Sequence, residues 1–335
     1  MTSFPRQDTA MASEPDFSSL AGVRVLVTGG AGFIGSHLAT ALANPGSEVI
    51  VLDDLAGGGD PANLPPSVRF VRGSILDLPL VERCVAGCSF VFHQAALGSV
   101  PRSVQHPRLF HDVNVTGTFN VLEASRAAGV KRLMFAASSS AYGDTPTLPK
   151  IETMPPMPRS PYAANKVAAE AMIRAYAASY GMDGVSLRYF NIFGPRQSAD
   201  NAYAAVIAAF AKAILSDKRP VIFGDGEQSR DFTYVDNVVR ANLLAATAEK
   251  SLNGAVINIA CGQRVTVTEL ATEMAALLGR PDLKPEYREE RAGDVKHSLA
   301  DLSAAADTLG YHPVSSFKAG LAVTTEWYRG RFGKL

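Results

Sequence analysis

Thr28-Gly29-Gly30-Ala31-Gly32-Phe33-Ile34-Gly35 decides the fold. A short β-branched run, Val23–Val27, precedes it, and a helical stretch from Gly32 to Ala43 follows. Gly29, Gly32 and Gly35 are spaced G-x-x-G-x-x-G. Glycine lets the backbone turn sharply and lets a pyrophosphate come close to a helix N-terminus. A glycine triplet alone is weak, because surface loops also collect glycine. Between a first strand and a first helix it reads as a dinucleotide-binding turn, with Phe33 and Ile34 closing it over the cofactor.

Working outward, the next strand, Glu48–Leu52, ends at Asp53. An acid there is at the distance expected for binding an adenosine ribose 2′-hydroxyl. Asp54 stands beside it, and no arginine follows to receive a 2′-phosphate, so the cofactor predicted is NAD and not NADP. Further strands are expected at Val68–Val71, Phe90–Phe92, Leu133–Ala136 and Gly184–Leu187, with helices at Pro107–Ala128 and Pro161–Tyr180. Ser74 and Ile75 end the third strand, where an adenine would lie. Gln94-Ala95-Ala96 ends the fourth, where small residues allow close approach to the cofactor.

Strands alternating with helices imply right-handed crossovers, and short apolar runs without strict alternation suit strands buried on both faces. The predicted fold is α/β: a Rossmann-type doubly wound parallel sheet with a smaller α/β substrate-binding lobe. Residues 21–192 and 234–263 are assigned to the NAD-binding domain. Residues 193–233 and 264–335 form the lobe, with helices expected at Tyr203–Leu215, Asp236–Ala248 and Val267–Leu278, the second of these on the NAD-binding side. Residues 1–20 are read as a flexible tail without the charged start and apolar core of a secretory signal.

Composition narrows the function classes. The chain has 335 residues, with 32 Lys plus Arg against 32 Asp plus Glu. That balance lacks the basic excess of a nucleic-acid or membrane-surface binder. No run is apolar and long enough to span a bilayer. Three cysteines, Cys84, Cys88 and Cys261, are no disulfide framework, and Cys84 and Cys88 lack nearby partners for a zinc site. Reduced thiols fit a cytoplasmic setting, and no metal site is expected.

Tyr162-Ala163-Ala164-Asn165-Lys166 opens the helix after the fifth strand. Residues four apart share a helix face. A phenol with its ordinary pKa near ~10 is a poor base at neutral pH, and an adjacent ammonium lowers that value by stabilising phenolate. Ser138-Ser139-Ser140 ends the fifth strand. A hydroxyl there can hold a substrate hydroxyl beside the tyrosine, at the sheet edge where open α/β folds bind ligands.

The glycine turn, Asp53, Ser138 with Tyr162 and Lys166, and Arg188-Tyr189-Phe190-Asn191 together resemble the extended short-chain dehydrogenase/reductases. Within these the chain resembles the UDP-hexose 4-epimerases, and most of all the UDP-N-acetylglucosamine 4-epimerase branch. The stretches that suggest the branch are Gly98–Ser103, Ser138–Asp144, Asn201–Ile207 (with Ala205) and Asp294–Asp301. The resemblance implies that Tyr162 is the catalytic base, that Lys166 lowers its pKa and holds the nicotinamide ribose, and that Ser138 bridges to the sugar 4-hydroxyl. It places Tyr189 near the nicotinamide. Ser99, Ser139, Ser140, Asn191 and Ala205 fall on the substrate side. Arg230 and Arg291 match diphosphate-binding arginines, and Asp294 matches the acid for the uridine ribose. Ser298 matches a position where a bulky aromatic residue restricts related pockets to unsubstituted hexose, so a small side chain there suits a 2-acetamido sugar. Two departures stand out. Asp54 replaces an amide, and Gly98 stands where some relatives carry a phosphate-side lysine.

The activity so implied is NAD-dependent 4-epimerisation of a UDP-sugar through a 4-keto intermediate, UDP-N-acetylglucosamine/UDP-N-acetylgalactosamine foremost and UDP-glucose/UDP-galactose beside it. Three rivals differ at defined residues. A 4,6-dehydratase resembles this family with an Asp-Glu pair where Ser139-Ser140 stands. A decarboxylase usually shows a glutamate in that stretch. A UDP-uronic acid 4-epimerase stays open, since Arg102 or Arg196 can meet a carboxylate. A non-catalytic NAD-binding regulatory protein is the alternative of another class, disfavoured by an intact Ser, Tyr and Lys. The resemblance also implies a homodimer through a four-helix contact of Pro107–Ala128 and Pro161–Tyr180. Ala163, Ala164, Ala168, Ala169, Ala171 and Ala175 would allow close helix approach.

Overall fold

The computed structural model describes residues 17–199, 206–290 and 296–332. Seven strands form one parallel sheet: β1 Arg24–Thr28, β2 Glu48–Asp53, β3 Arg69–Arg72, β4 Phe90–His93, β5 Arg132–Ser138, β6 Gly184–Tyr189 and, beyond four short strands, β11 Ala255–Ile259. Their order is β11-β6-β5-β4-β1-β2-β3, with Thr28 opposite His93 across β1 and β4, and Ser138 opposite Tyr189 across β5 and β6. The chain runs outward one way from β1 and the other way from β4. Their junction is therefore the switch point at which such sheets open a crevice.

Successive side chains of β1 point to opposite faces. Val25 and Val27 join one buried cluster, while Leu26 joins the other. Helices α1 (Phe33–Ala43) and α8 (Val235–Thr247) cover the first face. Helices α2 (Leu78–Val85), α5 (Gly117–Ala127) and α6 (Pro161–Tyr180) cover the second. Helix α6 keeps its expected bounds for local reasons. The Ser160 Oγ accepts the Ala163 N–H at 3.2 Å, Pro161 starts the helix, and Gly181 ends it at φ 65°.

Three features depart from the sequence reading. The helix expected at Pro107–Ala128 is α4 (Pro107–His111), a π-helical turn at Asp112–Thr116, and then α5. The wider turn buries Asn114, whose amide both accepts the Leu97 N–H at 2.9 Å and donates to the Leu97 carbonyl at 3.1 Å. Leu20 is 1% exposed and Phe17 packs on the same cluster, so order begins inside the stretch read as a tail. Helix α10 (Ser303–Leu309) buries Ala305 and Leu309 in the sheet's first cluster, so this part of 264–335 belongs to the sheet and not to the lobe.

The lobe has its own core. Phe193 meets Phe232, Tyr234 and Phe317 at centroid distances of 6.4, 5.7 and 5.8 Å. Helices α7 (Val206–Leu215), α9 (Val267–Leu277) and α11 (Phe317–Phe332) close over them. Two-stranded pairs link the lobe's loops, notably β9 (Ser229–Asp231) with β12 (Arg264–Thr266).

Gly35 sets how closely α1 can approach β1. A Cβ there would stand 2.2 Å from the Gly29 oxygen and 2.7 Å from the Gly30 Cα, both backbone atoms that cannot step aside. Gly35→Ala should therefore cost about 1–3 kcal/mol, measured by urea unfolding. A variant of wild-type stability would show that the turn yields.

Candidate active site

A cleft of about 880 Å³ runs along the C-terminal edge of the sheet, from the glycine turn to the lobe. Gly29 (φ 68°) brings the turn against the end of β4; a Cβ at Gly29 would stand 2.6 Å from the Ala95 N and Cα. Gly29, Gly32, Phe33, Ile34 and Gly35 all line the cleft, so the N-terminus of α1 faces into it.

Asp53 lines the cleft at the tip of β2. Its two oxygens accept the Ala31 N–H at 3.0 Å and the Leu55 N–H at 2.8 Å. Burial raises its carboxyl from the ordinary value, and these N–H groups oppose the shift. Asp54 also lines the cleft, but is exposed and bonds the Ala56 N–H at 2.9 Å. Ser74, Ile75, Gln94, Ala95 and Ala96 continue the wall. At its floor the Tyr189 hydroxyl accepts from Asn242 at 2.8 Å and donates to the Gln94 side-chain Oε1 at 3.3 Å, while burial pushes its pKa to about 12. A glycine-lined turn at a helix N-terminus, an acid at the second strand's tip and small residues at the fourth form a cradle suited to a dinucleotide.

Ser138, Tyr162 and Lys166 converge across that cradle. Lys166 is buried. Its ammonium donates to the Ala136 carbonyl at 2.8 Å and sits 4.7 Å from the Phe135 ring centroid. Burial drives its pKa from 10.5 to about 7, with the Glu170 carboxylate opposing. The Tyr162 phenol is half-buried, and burial raises its pKa, with the Ser138 hydroxyl opposing. The lowering of Tyr162 by Lys166 expected from spacing is not what the structure shows: burial dominates, and the opposing group is the Ser138 hydroxyl. Ser138 is held in place, its Oγ accepting the Ser140 N–H at 3.2 Å and the Ser140 hydroxyl at 2.8 Å. Behind them His93 bridges Thr28 (2.7 Å) and Thr118 (2.9 Å), and burial holds it neutral with a pKa of about 3.

The far wall is shared: Ser139, Ser140 and Asn191 come from the ends of β5 and β6, Arg230 and Ser298 from the lobe. The Asn191 amide donates to the Ser298 Oγ at 3.2 Å. Arg230 bends back so that Nη1 meets the Ser229 and Lys296 carbonyls at 3.0 and 3.1 Å. Ser99 does not line the cleft. It caps the short helix α3 (Val100–Gln105), accepting the Arg102 N–H at 3.4 Å, while Gly98, Val100 and Arg102 face the cleft. Arg196 also points elsewhere, its guanidinium lying 3.3 Å from the Ser36 Oγ and 3.5 Å from the Thr40 Oγ1 on α1. Ala205, Arg291 and Asp294 lie outside the described residues. Tyr142, Lys150 and Gln197 line the cleft without having been singled out in the sequence. Tyr142 follows the serine run and had a local signal; Lys150 and Gln197 had none.

Cys84 and Cys88 are buried, with thiols pushed up by burial, Cys88 to about 11. No helix among the described residues is long and apolar enough to cross a membrane.

Asp231 organises the lobe side. Fully buried, it accepts the Cys261, Gly262 and Ala300 N–H groups at 3.0, 3.1 and 3.2 Å, tying the wall that carries Ser298 to β9. Burial raises its carboxyl to about 6 from 3.8, although those N–H groups favour the charged form. A carboxyl raised on folding favours the folded state most below its unfolded pKa, and that contribution is lost as pH rises through the folded value. From pH 4 to 7 the wild type should lose up to about 3 kcal/mol that Asp231→Asn does not lose, read from urea unfolding of both; parallel curves would refute the shift.

The comparisons with known proteins agree with this geometry. Residues 25–260 match the NAD dependent epimerase/dehydratase family. The chain is 38% identical over 315 residues to a UDP-glucose 4-epimerase of Mycolicibacterium smegmatis, covering 92% of this chain and 99% of that one. Among solved structures it is similar to a UDP-N-acetylglucosamine 4-epimerase from Methanobrevibacter ruminantium in complex with UDP-N-acetylmuramic acid. There the TM-score is 0.88 and the identity 38%, over 93% of this chain and 99% of that one. It is equally similar to a UDP-glucose 4-epimerase from Thermotoga maritima with UDP-glucose, with TM-score 0.88 and identity 39% over 92% and 99% of the two chains. The matched span contains the glycine turn, Asp53, Ser138, Tyr162 and Lys166, and the chain belongs to the NAD dependent epimerase/dehydratase family, with NAD as its cofactor.

Proposed function

We propose that this chain interconverts the C4 epimers of a UDP-sugar, UDP-N-acetylglucosamine and UDP-N-acetylgalactosamine foremost, with UDP-glucose and UDP-galactose as a second pair. The observation that carries the sugar preference is Ser298. Its small side chain lies in the wall of the cleft that Ser139 and Ser140 also line, and is tied to Asn191. A tyrosine ring there would fill the volume that a 2-acetamido group needs. The relatives named above support the reaction class.

When bound, NAD supplies a reversible hydride acceptor for C4, so the sugar passes through a 4-ketone. The glycine turn and the N-terminus of α1 would hold its pyrophosphate, Asp53 its adenosine ribose and Lys166 its nicotinamide ribose. Tyr162 takes the 4-hydroxyl proton and returns it at the other face, and Ser138 relays the hydrogen bond between them. In its ammonium form, which the Glu170 carboxylate favours, Lys166 stabilises the phenolate against the burial that raises it. Arg230 grips the diphosphate while the ketone turns over, and the small hydroxyls around it accept either face of the ring. Ser139 and Ser140 offer no acid-base pair for elimination at C5 and C6, which argues against a dehydratase.

A UDP-uronic acid is the second reading. Of the two arginines expected to meet a sugar carboxylate, Arg102 lines the cleft and Arg196 does not. For assembly, α5 and α6 present outward faces that include exposed Phe119, Ala164, Ala171 and Ala175. These would pair with a second copy's helices; a monomer by sedimentation would remove this part of the proposal. We retain the domain boundaries of the sequence reading, with residues 17–20 and the 303–311 segment moved to the NAD-binding unit.

Tyr162→Phe should lower turnover by at least about 10³-fold while NAD stays bound, measured by separating the two epimers; substantial conversion would remove Tyr162 as the base. Ser298→Tyr should lower turnover of the acetylated sugar at least about 10-fold relative to UDP-glucose. An unchanged ratio would sink the pocket argument.

A further inference from the structure

Tyr162, Lys166 and Glu170 recur every four residues on one face of α6. The first two enter the cleft. Glu170 does not; it turns to β6 and closes a two-pronged ion pair with Arg188, at 2.9 Å (Nε to Oε1) and 2.7 Å (Nη2 to Oε2). The two side chains are only 3% and 5% exposed. The Arg188 guanidinium lies 4.6 Å from the centroid of the Tyr142 ring, which lines the cleft. The Tyr142 hydroxyl donates to Asn258 at 2.7 Å. Asn258 donates in turn to the Lys150 carbonyl at 2.9 Å and the Asp301 carbonyl at 3.4 Å. Ala137, Arg188 and Asn258 stand side by side across β5, β6 and β11. One buried polar line therefore joins the helix that carries the base to the strand that ends in Ser138 and to the segment that carries Ser298.

Stability alone does not explain this line. Taking two charges out of water costs several kcal/mol per ion, and well-packed apolar side chains of similar volume often do as well or better. A bidentate Arg–carboxylate pair does fix orientation in a way that apolar packing does not.

We propose that Glu170 and Arg188 are positioning residues, which lock Lys166 and Tyr162 of α6 in register with Ser138 and the sugar wall through Tyr142 and Asn258. The proposal rests on the assignment of Tyr162 and Lys166 to the chemistry. Its electrostatic consequence follows from the groups around the Lys166 ammonium: Tyr162 and Glu170 on α6, neutral His93 on β4, the Ala136 carbonyl and Phe135 ring on β5, and Arg188 on β6 behind Glu170. Glu170 is the carboxylate in this set that favours the ammonium. Removing its charge leaves Arg188 uncompensated, and both changes push Lys166 toward its neutral form.

The test uses the NAD-loaded protein. Glu170→Gln should lower kcat roughly 10- to 100-fold, with KM within about threefold of wild type. The Lys166 ionisation, followed by NMR of 13Cε-labelled lysine and assigned with Lys166→Met, should move to lower pH by at least about half a unit. Glu170→Met combined with Arg188→Met removes both charges, should fold with near wild-type stability, and should keep the low kcat. Recovery of wild-type kcat by the double variant, or an unmoved Lys166 titration in Glu170→Gln, would overturn the proposal. The titration needs no sugar. A shifted Lys166 in a protein that epimerises nothing would leave the relay standing and remove the proposed activity instead.

Discussion

Everything catalytic in this chain depends on how closely α1 lies against the end of β1. The Gly35 backbone packs where no Cβ fits, directly on Gly29 and Gly30. That contact aims the N-terminus of α1 into the crevice between β1 and β4, where the strand order reverses. The parallel sheet then brings the ends of β2, β4, β5 and β6 to the same edge. Asp53, Gln94, Ser138 and Tyr189 reach one cleft because each sits at or just beyond the C-terminal end of its strand.

The two sides of the cleft are built from different groups. The dinucleotide side is built from backbone N–H groups and small residues, which suits a cofactor held through every turnover. On the lobe side, Asp231 fastens the segment around Ser298 to its neighbours by backbone hydrogen bonds, and the groups facing the sugar are short hydroxyls and an amide. A ketone that must present both faces needs a firm grip on the diphosphate and loose walls around the ring. Between the two sides, burial raises Tyr162 and lowers Lys166. Burial disfavours the charged form of each, so a charge placed beside them counts, and this is where the Glu170–Arg188 pair sits.

Much of this was legible in the residues. Strand–helix alternation and the glycine turn announced the sheet, and the Tyr162, Lys166 and serine-run motifs named side chains that the structure brings to one cleft. What stayed hidden depends on the third dimension. A π-helical turn is one extra residue in a helical pattern and changes no periodicity strongly, so α4 and α5 read as one helix. Helix α10 returns to the sheet, where it packs on β11 and buries Ala305 and Leu309 in the first cluster, which no local pattern records. Lys150 reaches the cleft from a loop whose sequence carries no motif. Ser99 was assigned to the sugar and instead caps α3, since a serine before Val-Pro-Arg serves as a helix cap as readily as a ligand. Glu170 was visible four residues after Lys166, but its bidentate contact with Arg188 on β6 was not.

The central claim, that hydride leaves C4 and returns to C4 within one bound complex, is tested most directly by an isotope. UDP-N-acetylglucosamine carrying deuterium at C4 is incubated with the protein, and the product is examined by NMR and mass spectrometry. The account predicts UDP-N-acetylgalactosamine with deuterium still at C4 and none lost to solvent. Deuterium at C6 with loss of water, washout of the label, or no conversion at all would contradict it.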